Sequence, residues 1–138
     1  MSKVCIVTGA SRGVGRGIAK VLAEERSATV YATARSEAAL NDLASSIKGN
    51  TGVIHPVVLD QSDDSAVEKF ITTLAEKEGR IDLLVNSAYG GLTAMTPHFG
   101  KPFWERPISV FDASIDIGLR SAFVSSAIVA PHMVSQKS

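Results

Sequence analysis

A single cysteine, Cys5, is all the thiol this 138-residue chain carries, and it lies inside the apolar run 4–7. One thiol cannot build a disulfide framework, and its apolar setting fits a buried residue in a reducing compartment. Neither sign of charge is in excess: 14 Lys and Arg face 14 Asp and Glu, so neither nucleic acid nor an anionic membrane surface is expected as a partner. Long hydrophobic runs are missing too. The longest, 122–130, is interrupted by Ser125 and Ser126 and falls short of the ~20 residues a membrane span needs. The run 4–7 is too short for the core of a secretory signal. These absences predict a soluble intracellular chain, cytoplasmic in the first instance, with association with the endoplasmic reticulum left open. His55, His98 and His132 share no ligand spacing with one another or with Cys5. No metal is therefore expected, and each histidine reads as a surface or turn residue.

What is present is an alternation of two periods. Short β-rich runs at 4–8, 28–33, 57–59 (entered as early as 53) and 81–85 start about 25 residues apart, the spacing of βαβ units. Between them lie three helical stripes: Val14, Ile18, Val21 and Leu22; Leu40, Leu43, Ala44 and Ile47; Val67, Phe70, Ile71 and Leu74. Ser62 is the expected N-cap of the third helix, with Asp63 and Asp64 in its first turn as capping charges rather than an acid/base pair. An irregular stretch follows at 86–107, where Phe103 and Trp104 are expected to pack the loop onto the next helix. That helix spans 108–133, with apolar positions including 111, 115, 119, 123, 129 and 133, and Pro131 is expected to end or kink it.

Strands apolar on both faces, alternating with amphipathic helices, imply an α/β domain over 1–138. It is a Rossmann-type, doubly wound parallel sheet of order 3-2-1-4 with a switch point between strands 1 and 4. Ligands in such sheets bind beyond the carboxyl ends of the strands, and each of these ends carries a candidate. After strand 1 comes Thr8-Gly-Ala-Ser-Arg-Gly-Val-Gly15. Gly9 lets the chain turn, Gly13 and Gly15 let an anion approach backbone N–H groups and a helix N-terminus, and Ser11, Arg12 and Val14 line the same loop. No Gly-Lys-Ser/Thr follows, which disfavours a mononucleotide P-loop.

After strand 2, Arg35 stands twenty residues beyond Gly15, where an NAD site places Asp or Glu for the ribose 2′-hydroxyl. An arginine there, with Arg12 to share the load, fits a 2′-phosphate and so NADP(H) rather than NAD(H). After strand 3, Asp60 can accept from an adenine amino group or cap the next turn. After strand 4, Asn86 can fasten neighbouring strand ends, Ala88 leaves room for a ribose, and Tyr89 is either a wall on the substrate side or a loop anchor.

These residues resemble the short-chain dehydrogenase/reductase family. The stretch 8–15 matches its Thr-Gly-x3-Gly-x-Gly cofactor motif, Asp60 its adenine-site aspartate, and Asn86-x-Ala88 most of its Asn-Asn-Ala-Gly motif. The strings Asn86-Ser-Ala-Tyr-Gly, Phe103-Trp-Glu and Gly118-Leu-Arg look most like one subgroup of it. The resemblance implies hydride transfer between NADP(H) and a carbonyl or alcohol, by a serine and a Tyr-x3-Lys pair. Neither is present here: the only tyrosines are Tyr31 and Tyr89, with Arg35 and Thr93 four residues on. Gly118-Leu-Arg-Ser121 also lacks the asparagine of the family's Asn-x-x-Gly. The sequence ends at Ser138, before the fifth strand that would carry the serine.

The expectation is therefore the NADP(H)-binding portion of such an enzyme, with no catalytic residue among these positions. One alternative is a non-enzymatic nucleotide-binding form that acts on a second copy or a full-length partner through helix 108–133, which in the family commonly lies at a subunit interface. The other is a non-functional fragment with an exposed apolar edge at 81–85.

Overall fold

The computed structural model describes residues 2–49 and 52–137. Asn50 and Thr51, just before the third strand, and the terminal Met1 and Ser138 lie outside the described residues. Four parallel strands, β1 (Val4–Thr8), β2 (Thr29–Ala34), β3 (Val53–Val58) and β4 (Leu83–Val85), stand in the order β3-β2-β1-β4. This is the doubly wound arrangement expected from the spacing of the apolar runs.

Both faces of β1 are covered, which is why it is apolar throughout. Cys5 and Val7 point into a core with Val30, Ala32, Leu40 and Leu43, closed by α1 (Gly13–Arg26) and α2 (Glu37–Ser45). Val4 and Ile6 point into a second core with Val67, Ile71, Leu74 and Val129, closed by α3 (Asp64–Glu78) and α6 (Ser121–Gln136). Burial and the neighbouring Asp82 carboxylate push the Cys5 thiol up to about 11, so it stays protonated and inert at neutral pH.

Several boundaries differ from expectation for physical reasons. β3 runs the full 53–58 and tolerates Pro56 because it is an edge strand, whose outer side needs no N–H donor. β4 is shorter than 81–85 because Ile81 is withdrawn from the ladder. Its N–H donates to Gln136 Oε1 (2.8 Å) and its carbonyl accepts from Gln136 Nε2 (3.0 Å), which ties the end of α6 to the entry of β4. The N-cap of α3 is Asp63, which accepts from Ala66 N at 3.0 Å; Ser62 instead donates to Asp60. In α1 the buried face is Gly15, Ala19 and Ala23, while Val14 is exposed.

The long helix departs most. It consists of α5 (Ile108–Ser114), a wider π-helical turn (Ile115–Arg120) and α6, which continues past Pro131 to Gln136. A short α4 (Gly91–Met95) precedes it. The π turn inserts residues into the helical repeat and shifts its phase, so a single stripe of period 3.6 cannot describe both halves. The buried face of α6 is Ser121, Ser125 and Val129, small enough for close approach to α3, whereas Phe111, Leu119 and Phe123 face outward. By length and composition the whole run Ile108–Gln136 could cross a membrane, although 122–130 alone could not. Only 17% of its apolar window is buried, with Ser121, Ser125 and Val129 as the buried residues of α6. Phe103 and Trp104 pack edge-to-face on each other at 5.3 Å and are exposed, contrary to the expectation that they anchor the loop to the helix.

Asp82 fastens the amino ends of β1 and β4. Its nearly buried carboxylate accepts from Val4 N (2.8 Å), Lys3 Nζ (3.2 Å) and the Arg80 guanidinium. The Arg80 pair first, then the Val4 N–H and Lys3, hold it well below the ordinary carboxylate range. A depressed carboxylate contributes stability that is complete above its unfolded-state value near ~4 and is lost as pH falls through the folded value. Asp82→Asn is expected to cost about 2 kcal/mol at pH 7. The gap from wild type should narrow as pH is lowered from ~4, followed by thermal melts read by circular dichroism.

Candidate cofactor-binding site

The carboxyl edge of the sheet brings the sequence candidates together around a bare turn. Gly9 has φ +64°, and a Cβ on it would sit 2.6 Å from Ala88 Cα and 2.7 Å from the Ser87 carbonyl. A Cβ on Gly15 would lie 2.5 Å from the Gly9 carbonyl and 3.0 Å from Ser87 Oγ. The strand–turn–helix connection and the segment after β4 therefore touch backbone to backbone, which only glycine allows. Thr8 locks the contact, its hydroxyl accepting from both Ser87 N and Ala88 N at 3.1 Å. Ala10 N donates to the Thr33 carbonyl (3.0 Å), tying the turn to β2 as well.

The strand ends are thus fastened by Thr8 rather than by Asn86. Asn86 donates from Nδ2 to Ser126 Oγ at 3.0 Å and so pins the segment to α6. The N-cap of α1, Arg12, supplies no side-chain acceptor, and no acidic residue occupies the first turn. The helix start therefore keeps its positive end for an anion.

Arg35 is exposed directly after β2, and its charge is one of the influences that lower Asp60. The main cause is local: Asp60 Oδ1 accepts from Ser62 N (2.9 Å) and from the Ser62 hydroxyl (2.7 Å). The structure thus gives Asp60 its turn-capping role at the edge where an adenine would lie. Arg12 is not turned toward Arg35; its Nη2 donates to Thr93 Oγ1 (3.2 Å) across the mouth of the cleft. Ser11, Gly13 and Val14 stand on the loop and first turn as expected, and Gly13 (φ +57°) has open space around it.

Tyr89 acts as an anchor. Its hydroxyl is 3.2 Å from Ser114 Oγ, and its ring fills the space beside Gly91 and Gly118, where a Cβ at 118 would come 3.1 Å from Cδ2. The position at which the family resemblance expects an asparagine is a glycine here, with the Tyr89 ring against it.

The sequence reading missed a buried polar chain behind the site. Ser125 Oγ donates to Gln61 Oε1 (3.2 Å), and Gln61 Nε2 donates to Thr33 Oγ1 (3.3 Å). All three residues are buried, and together they hold the loop carrying Asp60 between β2 and α6. Gln61 directly follows the adenine-site candidate, and that adjacency was the one signal available. His55, expected at the surface or in a turn, lies in β3 and stacks on Tyr31 with 4.8 Å between ring centroids. Among the described residues no group of three His, Cys, Asp or Glu is placed to hold a metal.

The sheet order and its covering helices define a Rossmann-type, doubly wound α/β domain. The chain belongs to the short chain dehydrogenase family, whose sequence model matches residues 3–138. It is similar to dehydrogenase/reductase SDR family member 1 of Mus musculus, 42% identical over 133 residues, which are 96% of this chain and 42% of that protein. Among solved structures it is similar to a metagenomic short-chain oxidoreductase in complex with NADP (TM-score 0.81, 30% identity, 99% of this chain and 59% of that one). Another is an alcohol dehydrogenase from the archaeon Thermococcus sibiricus complexed with 5-hydroxy-NADP (TM-score 0.79, 25% identity, 96% of this chain and 54% of that one). The chain thus spans about half the length of the proteins it matches.

Proposed function

We propose that these residues are the NADP(H)-binding portion of an oxidoreductase acting on a carbonyl or alcohol, with its acid–base residues outside these 138 positions. The observation that carries the reading is the bare cradle of Gly9 and Gly15 at the uncapped start of α1, where any side chain would collide with backbone. A pyrophosphate fits such a cradle because it needs N–H donors and close approach. When bound, the nicotinamide supplies or takes up the hydride.

The N–H groups of the segment Gly9–Gly15, with Ser11 and Val14 along it, would hold the pyrophosphate. Arg35 would take the 2′-phosphate, joined by Arg12 on release from Thr93. Asp60 would meet the adenine, and Asn86 and Ala88 would border the ribose. Neither tyrosine is arranged as a Tyr-x3-Lys acid: Tyr31 bonds Glu78 and Lys77, and Tyr89 bonds Ser114. The purified chain is accordingly expected to enhance NADPH fluorescence on binding yet leave NADPH unoxidised with any carbonyl substrate. Turnover by this chain would refute the division of labour, and absence of binding would refute the site.

A second reading rests on a separate observation, the exposure of Phe111, Leu119 and Phe123 on one helical run. That face suits contact with a second copy or a full-length partner, by which a non-enzymatic form would act. Sedimentation equilibrium of the chain alone, with Phe123→Glu beside it, distinguishes a self-associating face from one that stays free.

A further inference from the structure

A groove outside the cofactor edge is left unassigned by the reading above, and it does not depend on that reading. It runs along α3 on the β3 side of the sheet, as a cavity of about 460 Å³. Its floor is apolar, formed by Val57, Leu59, Phe70 and Leu74 with part of the Tyr31 ring, over which Lys77 Nζ lies at 5.3 Å from the centroid. Tyr31 and Phe70 meet at 6.4 Å between centroids, an aromatic wall at one side. Beside Phe70 and Leu74 on the same helix, α3, Lys69, Thr73 and Lys77 stand four residues apart, about 6 Å per step, and form a polar rim. From Ala66 to Lys77 the rim extends about 16 Å, so the groove is long and narrow.

The charge on this groove has one sign. Its lining includes two lysines and no carboxylate. Lys77 donates to the Tyr31 hydroxyl (2.8 Å) and pairs with Glu78 (3.4 Å) at one end. Glu78 also accepts from Tyr31 at 2.6 Å, so that end is satisfied within the fold. Lys69 makes no side-chain hydrogen bond or ion pair among the described residues. Small-ligand sites have this composition, several hundred Å³ of apolar and aromatic wall with a few placed polar groups.

We infer that this groove binds an amphipathic carboxylate of fatty-acid type, its chain along the Tyr31–Phe70–Leu74 floor and its carboxylate at Lys69. An elongated apolar floor selects a chain over a compact ring system. The cationic rim selects an anion over an alcohol or an ammonium head. The site opens on the β3 side of the sheet and leaves the Gly9–Gly15 cradle free, so its occupant and a nucleotide do not compete.

The experiment is an NMR titration of the ¹⁵N-labelled 138-residue chain with sodium decanoate, below the concentration at which it forms micelles. Saturable shifts confined to Tyr31 and residues 57–59 and 66–77 are expected. Octanoate should bind about tenfold more weakly, as loss of two buried methylenes implies. Decyltrimethylammonium should bind at least tenfold more weakly than decanoate. Lys69→Glu should weaken decanoate about fivefold, the scale of one partly exposed ion pair. Thr73→Trp, at an exposed position where the fold tolerates the ring, should block the groove and abolish the shifts while its thermal melt stays that of wild type. Equal affinity for the ammonium overturns the proposal, as does unchanged decanoate binding in Thr73→Trp. Shifts scattered over the apolar face of α5 and α6 overturn it as well. Because none of these readouts involves NADPH, failure here leaves the cofactor reading standing, and the reverse also holds.

Discussion

Replacing Arg35 by aspartate is expected to weaken NADPH binding about a hundredfold and to leave NADH binding unchanged or a few-fold tighter. Arg35 is the first residue beyond β2, exposed at the carboxyl edge, and close enough for its charge to help lower Asp60. A guanidinium fork pairs with a 2′-phosphate through charge-assisted hydrogen bonds of roughly 1.5–3 kcal/mol each, and about 3 kcal/mol in total corresponds to about a hundredfold. Aspartate removes those bonds, repels the phosphate, and offers an acceptor to a 2′-hydroxyl instead. Arg12 is expected to matter less, because it must first leave Thr93, to which it is bound at 3.2 Å in an exposed position. Isothermal titration of both cofactors against wild type and variant decides the matter; equal losses for the two would remove the 2′-phosphate role.

The second large effect is expected at Gly9. Gly9→Ala meets two penalties at once: a left-handed backbone (φ +64°), and a Cβ 2.6 Å from Ala88 Cα, against the backbone of Ser87 and Ala88. The first costs about 1–2 kcal/mol, and the second about 1–3 kcal/mol, since nothing flexible can yield. Together they should lower Tm by roughly 10 °C and abolish NADPH binding, because the segment 86–88 must move to admit the methyl. Gly13→Ala is the internal control. Its φ is +57° but its Cβ would meet nothing within 4 Å, so only the backbone penalty applies and the loss of Tm should be about half. Melts of the two variants side by side test the ordering; Gly13→Ala as the worse variant would contradict the geometry.

Sheet order and the Gly-rich turn were legible in the sequence because each depends on spacing and on residues with a single conformational excuse. Runs about 25 residues apart leave few options beyond parallel crossovers, and glycines at 9, 13 and 15 directly after an apolar strand have one common use. The phase of the long helix was not legible. A π turn at Ile115–Arg120 is invisible to a periodicity count, so the apolar positions 111, 119, 123 and 129 read as parts of one helix, yet Phe111, Leu119 and Phe123 face outward and the buried residues of α6 are Ser121, Ser125 and Val129. Side-chain partners across the site were hidden for a different reason. Thr8 serving Ser87 and Ala88, and Gln61 bridging Thr33 to Ser125, join residues 64–80 apart in three of their four contacts, and local chemistry carries no mark of such pairings. Asp63 rather than Ser62 is the cap because the helix begins at Asp64, so Asp63 holds the extended position before it (φ −95°, ψ 94°) and accepts from Ala66 N.

The central claim is that this edge of the sheet recognises the phosphorylated adenosine half of NADP(H). Its most direct test is titration of the unmodified chain with 2′,5′-ADP and, separately, with 5′-AMP, ligands that differ only in the 2′-phosphate. Saturable 1:1 binding of 2′,5′-ADP is expected, at least tenfold tighter than 5′-AMP, with the difference gone in Arg35→Asp. Equal affinity for the two, or binding of neither, would contradict it.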